Sequence, residues 1–166
     1  MKIIKNALSD TLFQKCKEEI NEKLPKNVWA SSTMIWPPEL RQGISGNTMA
    51  SMMSPETTEL IKQEIKKYIP ECEVVAQYYI WQPHSGIAMH NDQSRKFGAT
   101  IYMNEKWHPN SGGWFIWQDK NTEEWNTILP EENVMVVNDT SENHLVTSVA
   151  PDGFAIRITI QIWGLL

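Results

Sequence analysis

His90-Asn91-Asp92 places an imidazole and a carboxylate two positions apart. On an extended or tightly turning backbone, residues i and i+2 point the same way, so both groups can converge on one ion. His144 stands far downstream, at the start of HLVTSV, with several strand-like runs in between. A rolled-up sheet makes such distant segments neighbours, and His144 can then supply a third ligand. Two imidazoles and one carboxylate on one face of a metal leave further positions open. Neutral imidazoles with a carboxylate suit Fe(II), and the open positions can take a bidentate co-substrate and then O2. The plainer alternative is that both histidines are ordinary polar residues at strand ends.

Arg157 lies in FAIRITIQIW, among apolar and β-branched neighbours. A guanidinium in such a strand is costly unless it meets an anion. Arg157 and Thr159 share one face, which offers a fork for a carboxylate and a hydroxyl beside it. The competing reading is an arginine pointing to solvent from an edge strand. Weaker candidates surround these groups. His84 sits between Pro83 and Gly86 in a loop and reads as a rim residue with a possible substrate contact. Trp81 could form part of a substrate wall but is more simply core, as are Trp114, Trp117 and Trp163. Arg95 and Lys96 follow the metal tripeptide and could meet an acidic substrate or simply be solvated.

Two kinds of element must position these residues. From Ser9 to about Leu24, Leu12, Phe13, Cys16 and Ile20 recur at helical spacing, with Ser9 as N-cap. Ser54-Pro55-Glu56 opens a second helix, with Leu60, Ile61, Ile65, Tyr68 and Ile69 as its apolar face and Pro70 as its stop. Beyond Pro70 the period changes. EVVAQYYIWQ, FGATIYMN, GWFIWQ, EWNTIL, NVMVVN, HLVTSV and FAIRITIQIW are short β-branched and aromatic runs separated by Gly, Pro, Asn and Asp. A short strand at Ile87 to Met89 makes eight. The expected architecture is α+β, a β-sandwich or barrel with the leading helices packed outside. Between the helices, residues 30–53 read either as a lid over the site or as a partly stranded connector.

The chain as a whole narrows the options. Its 166 residues suit a single domain, with 1–70 as helical support and lid segment and 71–166 as the core. A net charge of −5 without a basic run makes nucleic acid a disfavoured partner. Cys16 and Cys72 have neither metal-ligand nor redox spacing and read as reduced thiols. With no apolar leader in MKIIKNALSD and no candidate membrane span, the expected location is the cytoplasm. Oligomeric state is not legible.

From about Val74 to Trp163 the chain resembles the 2-oxoglutarate/Fe(II)-dependent dioxygenases, in particular the compact prolyl-4-hydroxylase-like branch. The likeness runs in order: a Tyr-containing strand, His90-Asn91-Asp92, IYMNEKW, SGGWFIW, NVMVVN, HLVTSV and Arg157-Ile158-Thr159. It implies a double-stranded β-helix, a distorted jelly roll, with His90, Asp92 and His144 on iron. It further implies that Arg157 with Thr159 holds the distal carboxylate of 2-oxoglutarate, helped by a tyrosine hydroxyl. Tyr79 and Tyr102 are both placed for that, and the sequence does not choose between them. The implied reaction consumes 2-oxoglutarate and O2, releases succinate and CO2, and hydroxylates an aliphatic carbon. Peptidyl residues such as proline and small metabolites remain open as substrates.

The chain also departs from its relatives. Arg157 stands where animal-type prolyl 4-hydroxylases use lysine, and the turn between Gly153 and Arg157 looks about two residues longer than usual. Asp92 is present, where halogenases of the superfamily carry a small residue. Trp163 occupies the place of the second arginine of the DNA-demethylating branch. Two rival readings explain the strands equally well: a non-catalytic cupin-like β-sandwich that binds a ligand, and a cupin enzyme that uses metal without 2-oxoglutarate. The first does not explain why two His, an Asp and an Arg fall at the family's positions in order, and the second gives Arg157 no task.

Overall fold

A computed structural model describes residues 1–151 and 156–166. Among the described residues there are three α-helices and eleven strands, beginning β1 (Lys2–Ile4), α1 (Asp10–Lys23), β2 (Ala30–Ser31), α2 (Ser32–Ile35), β3 (Thr48–Met52), α3 (Pro55–Ile65) and β4 (Val74–Trp81). There follow β5 (Ile87–His90), β6 (Phe97–Tyr102), β7 (Phe115–Gln118), β8 (Trp125–Ile128), β9 (Met135–Asn138), β10 (His144–Val146) and β11 (Arg157–Gly164). Among the described residues these strands form a seven-stranded sheet, ordered β1-β9-β6-β11-β4-β3-β2, facing a four-stranded sheet, β5-β10-β7-β8. The result is the jelly roll expected from the sequence.

Both long helices start where their caps require. The Ser9 hydroxyl accepts from the Leu12 amide, and the Ser54 hydroxyl accepts from the Thr57 amide. Leu12, Phe13, Cys16 and Ile20 bury the inner face of α1, and Thr57, Ile61 and Ile65 that of α3. The second helix is shorter than its apolar pattern suggests. It ends at Ile65, the Tyr68 amide turns back to the Ile65 carbonyl, and Leu60 is 36% exposed. The face that meets the sheet runs 57, 61, 65, and Leu60 is rotated away from it.

These helices cover one face of the large sheet. Alternate residues of its central strands (Ala76 and Tyr78, Ile101, Ile160 and Ile162) pack there with Cys16, Ile20, Ile61 and Ile65. Full burial of each such side chain contributes roughly 1.5–3 kcal/mol. The other alternates face the small sheet, where Tyr79, Trp81 and Tyr102 pack with Phe115, Trp117, Val136 and Val146.

All eight strands read from the sequence are present, and β1, β2 and β3 are additional. Residues 30–53 are partly stranded: β3 pairs with β4 and β2 pairs with β3, extending the large sheet. Their small and polar side chains left no alternating apolar signal to read. The long turn read before Arg157 falls on residues 152–155 and lies outside the described residues.

Candidate metal centre and active site

Strand pairing brings the two histidines together. In the small sheet His144 stands directly opposite His90, and their ring centroids are 4.2 Å apart. Asp92, just past the end of β5, brings Oδ2 to 3.7 Å from Nε2 of His144. One ligand atom from each of the three lies within 4.8 Å of the others, so the cluster can hold a metal ion. The ring nitrogens are already sorted. Nδ1 of His90 lies 2.9 Å from the Ala88 carbonyl, and Nδ1 of His144 lies 2.9 Å from the Glu142 carbonyl. A proton on each Nδ1 leaves the Nε2 lone pair for a cation. Burial, then the neighbouring His144, pulls the His90 pKa below its ordinary value. That keeps the imidazole neutral, as a ligand must be.

Two residues that the sequence did not single out as functional hold this cluster in place. Asn138, the last residue of β9, clamps the Glu142 backbone: its Oδ1 accepts from the Glu142 amide and its Nδ2 donates to the Glu142 carbonyl. That carbonyl is the one facing Nδ1 of His144. Gly98, on β6, leaves room for the carboxylate, since a Cβ there would sit 2.3 Å from Asp92 Oδ2. Neither residue type carries a local signal for such a task. Each works through a contact that exists only after strands separated in sequence have met.

The opposite end of the cavity is built around Arg157. Its side chain is fully buried, and Nε, Nη1 and Nη2 have no hydrogen-bond partner among the described residues. The guanidinium carbon lies 4.3 Å from the Trp81 ring centroid and 5.4 Å from that of Tyr102. Burial lowers its pKa to about 10, against a partly opposing effect of Tyr102, and it therefore stays protonated at neutral pH. A buried, charged and unpaired fork demands an anion. Tyr102 supplies a second buried and unpartnered group, its hydroxyl, and burial raises that phenol to about 12. Tyr79 is likewise raised to about 12 by burial, but its hydroxyl accepts from Trp36 Nε1 at 3.4 Å. Thr159 Oγ1 accepts from Trp81 Nε1 at 3.0 Å. Asn104 grips the strand on both sides of the arginine, donating to the Ile156 carbonyl and accepting from the Ile158 amide. Gly113 leaves space for it, because a Cβ there would lie 2.8 Å from Arg157 Cδ.

Both ends open on one cavity of about 650 Å3, lined in part by Trp36, Tyr79, Trp81, His90, Asp92 and Arg157. Of the remaining residues singled out in the sequence, Arg95 lines this cavity and is exposed. His84 is an exposed turn residue at φ +64° that is not among the cavity's lining residues. Trp81 lines the cavity, but its ring carries Arg157 and its N–H serves Thr159, so it forms part of the arginine's wall.

A jelly roll with a His-Asp-His cluster at one end of its cavity and a bare buried arginine at the other defines the class of non-haem iron proteins with an anionic co-substrate. The chain belongs to the 2OG-Fe(II) oxygenase superfamily, whose model matches residues 74–164, more than half of its length. It is an oxygenase, and its cofactors are Fe(II), 2-oxoglutarate and O2. Solved structures with a similar fold include a prolyl-4-hydroxylase from Pseudomonas putida, at 15% identity and TM-score 0.74, covering 99% of this chain and 92% of that one. A prolyl hydroxylase from Trichoplax adhaerens, in complex with a peptide fragment of hypoxia inducible factor, gives 15% identity and TM-score 0.73, covering 99% and 82%. The viral collagen prolyl hydroxylase of Paramecium Bursaria Chlorella virus-1 gives 13% and 0.60, covering 99% and 90%. No curated protein matches the chain by sequence. Among the described residues no helix is long and apolar enough to cross a membrane.

The residues present fit the cofactors. The donor set suits Fe(II), and the orphaned polar atoms of Arg157 and Tyr102 suit a carboxylate. Gly98→Ala is accordingly expected to weaken Fe(II) binding about 10- to 100-fold without removing a ligand, because the new methyl displaces the Asp92 carboxylate. Anaerobic metal titration of a variant with wild-type circular dichroism checks this. Unchanged affinity would show that Asp92 does not need its present position.

Proposed function

We propose that His90, Asp92 and His144 bind the iron, and that Arg157, with Tyr102 beside it, binds the distal carboxylate of 2-oxoglutarate. Bound iron with 2-oxoglutarate and O2 supplies the oxidation, in which an aliphatic C–H of the substrate becomes C–OH while succinate and CO2 are released. The chain's own groups bind and orient. The Nδ1 contacts of both histidines keep Nε2 free, and the guanidinium fork fixes one end of the co-substrate. Tyr102, protonated at neutral pH, donates to the same carboxylate. Tyr79 and Trp36 close the aromatic wall and exclude water, and Thr159 is held by Trp81. Residues 1–166 act as one oxygenase domain, with the segment before residue 70 supplying helical support and the Trp36 wall.

The substrate is an aliphatic carbon of a peptidyl residue, proline-like, or of a small metabolite. The similar prolyl hydroxylases support a peptidyl substrate, and one of them is bound to a peptide. Exposed Arg95 at the cavity would meet an acidic group on it. The acidic net charge of −5 argues against nucleic acid, and the free thiols Cys16 and Cys72 support a reducing, cytoplasmic setting.

The observation that carries the assignment is the unpaired, fully buried Arg157 fork in the same cavity as the His-Asp-His cluster. The cupin-like alternatives, which take no 2-oxoglutarate, assign no anion to that charge. Anaerobic titration of metal-free protein with Fe(II) and then 2-oxoglutarate, followed by the visible charge-transfer band of the chelate, tests the reading. A band that requires both additions supports it, and iron binding without any response to 2-oxoglutarate would overturn it.

A further inference from the structure

Registers across the large sheet arrange its inner face in rows. Gly98, Trp163 and Val75 form one row. Thr100, Gln161, Gln77 and Met52 form the next, and Tyr102, Thr159, Tyr79 and Ala50 a third; Arg157 and Trp81 close the buried end. The first row abuts Asp92 through Gly98, and the last two hold the arginine pocket. Between them lies a row with two glutamines, directly opposite one another on β11 and β4 and both lining the cavity. Directly opposed residues on antiparallel strands have Cβ atoms about 5 Å apart.

The surroundings make this pair conspicuous. The charged groups lining the cavity are Asp92, Arg95 and Arg157, beside the two histidines. Around the glutamines the wall is largely apolar or aromatic: Val75, Tyr79, Trp163, Leu165 and Met52. Each glutamine is half committed. Gln161 Oε1 accepts from Thr100 Oγ1 at 2.7 Å, which pins the side chain and leaves its amide N–H groups without a partner among the described residues. Gln77 Nε2 approaches Met52 Sδ at 3.0 Å, which leaves its carbonyl oxygen free. The row therefore sets the free N–H groups of Gln161 beside the free carbonyl oxygen of Gln77. A secondary amide, with one C=O and one N–H, is the complementary group. A carboxylate would leave the Gln77 carbonyl oxygen unmatched, and an ammonium would leave the Gln161 N–H groups unmatched.

We infer that Gln77 and Gln161 form the substrate-orienting subsite of this oxygenase and take a backbone peptide bond of the substrate. Gln161 donates to its carbonyl, and Gln77 accepts from its N–H. This rests on the oxygenase reading above and adds the chemical group by which the substrate is held.

The test uses N-acetyl amino-acid N-methylamides, the matching N-acetyl methyl esters and the free amino acids as probes. Each is titrated calorimetrically into anaerobic protein loaded with Fe(II) and 2-oxoglutarate. An ester keeps the carbonyl and lacks the N–H. Wild type is expected to bind its best N-methylamide about tenfold tighter than the ester, and free amino acids more weakly than either. Gln77→Leu should bind amide and ester equally. Gln161→Leu should weaken both about tenfold and keep the preference between them. Gln161→Glu, nearly isosteric, should do the same by removing the donor, and serves if the leucine variant does not fold. Unchanged 2-oxoglutarate affinity in each variant confirms that the cofactor end is intact.

Equal binding of amide and ester by wild type, a preference that survives Gln77→Leu, or no binding of any capped amide by a protein that forms the iron and 2-oxoglutarate complex would each overturn this inference and leave the oxygenase reading standing. A wild-type protein that fails to form that complex overturns both.

Discussion

Arg157→Leu is expected to weaken 2-oxoglutarate binding by about two to three orders of magnitude and to leave Fe(II) affinity near wild type. The guanidinium is fully buried, stacked on Trp81, and offers three nitrogens with no partner among the described residues. In the ligand-free protein that charge is a cost, since burial has already lowered its pKa to about 10 and it nevertheless remains protonated at neutral pH. In the proposed function the co-substrate carboxylate satisfies it. Two opposite effects should therefore appear in one variant. Without ligand, Arg157→Leu should melt at a higher temperature than wild type, because an unpaired buried cation gives way to an apolar side chain. With saturating 2-oxoglutarate, wild type should gain stability and the variant should not. Thermal melts with and without the co-substrate, beside an anaerobic calorimetric titration, read both. Retained 2-oxoglutarate affinity in Arg157→Leu would remove the arginine from the co-substrate site.

His144→Ala should abolish Fe(II) binding at concentrations that saturate wild type, and Asn138→Ala should weaken it about 10- to 100-fold. His144 is 6% exposed, packed against Phe115 with ring centroids 5.2 Å apart, and opposite His90 in the sheet. No other described side chain joins the cluster to replace it. Asn138 contributes no ligand in this scheme. It fixes the Glu142 carbonyl, and that carbonyl fixes Nδ1 of His144. Its loss leaves the imidazole present and free to turn. Metal titration of both variants separates the two roles. Equal loss in both, with wild-type circular dichroism, would mean that the clamp is as necessary as the ligand, and altered dichroism would mean that Asn138→Ala misfolds. Full affinity in Asn138→Ala would mean that the clamp is dispensable.

Much of this protein is legible before any fold is known. Alternation of apolar and polar residues is a local property with a period of two. The eight core strands, and the fact that Arg157 shares a face with Thr159, could therefore be read directly from FAIRITIQIW and its neighbours. Caps are local too, which is why Ser9 and Ser54 mark helix starts correctly. The types of the candidate ligands are likewise written in the chain, because an imidazole or carboxylate declares its chemistry wherever it stands. Position across the sheet is a different matter. Register is set by pairing between segments far apart in sequence, and a slip of one residue would turn each side chain to the other face. Only the folded sheets place His144 opposite His90, Gly98 beneath Asp92, and Gln161 beside Gln77. Only they bring Trp36 to the Tyr79 hydroxyl and leave the Tyr102 hydroxyl, near Arg157, without a partner among the described residues. Local propensity specified the parts and the faces they present. Long-range strand pairing decided which of those faces meet, and the proposed site consists of those meetings.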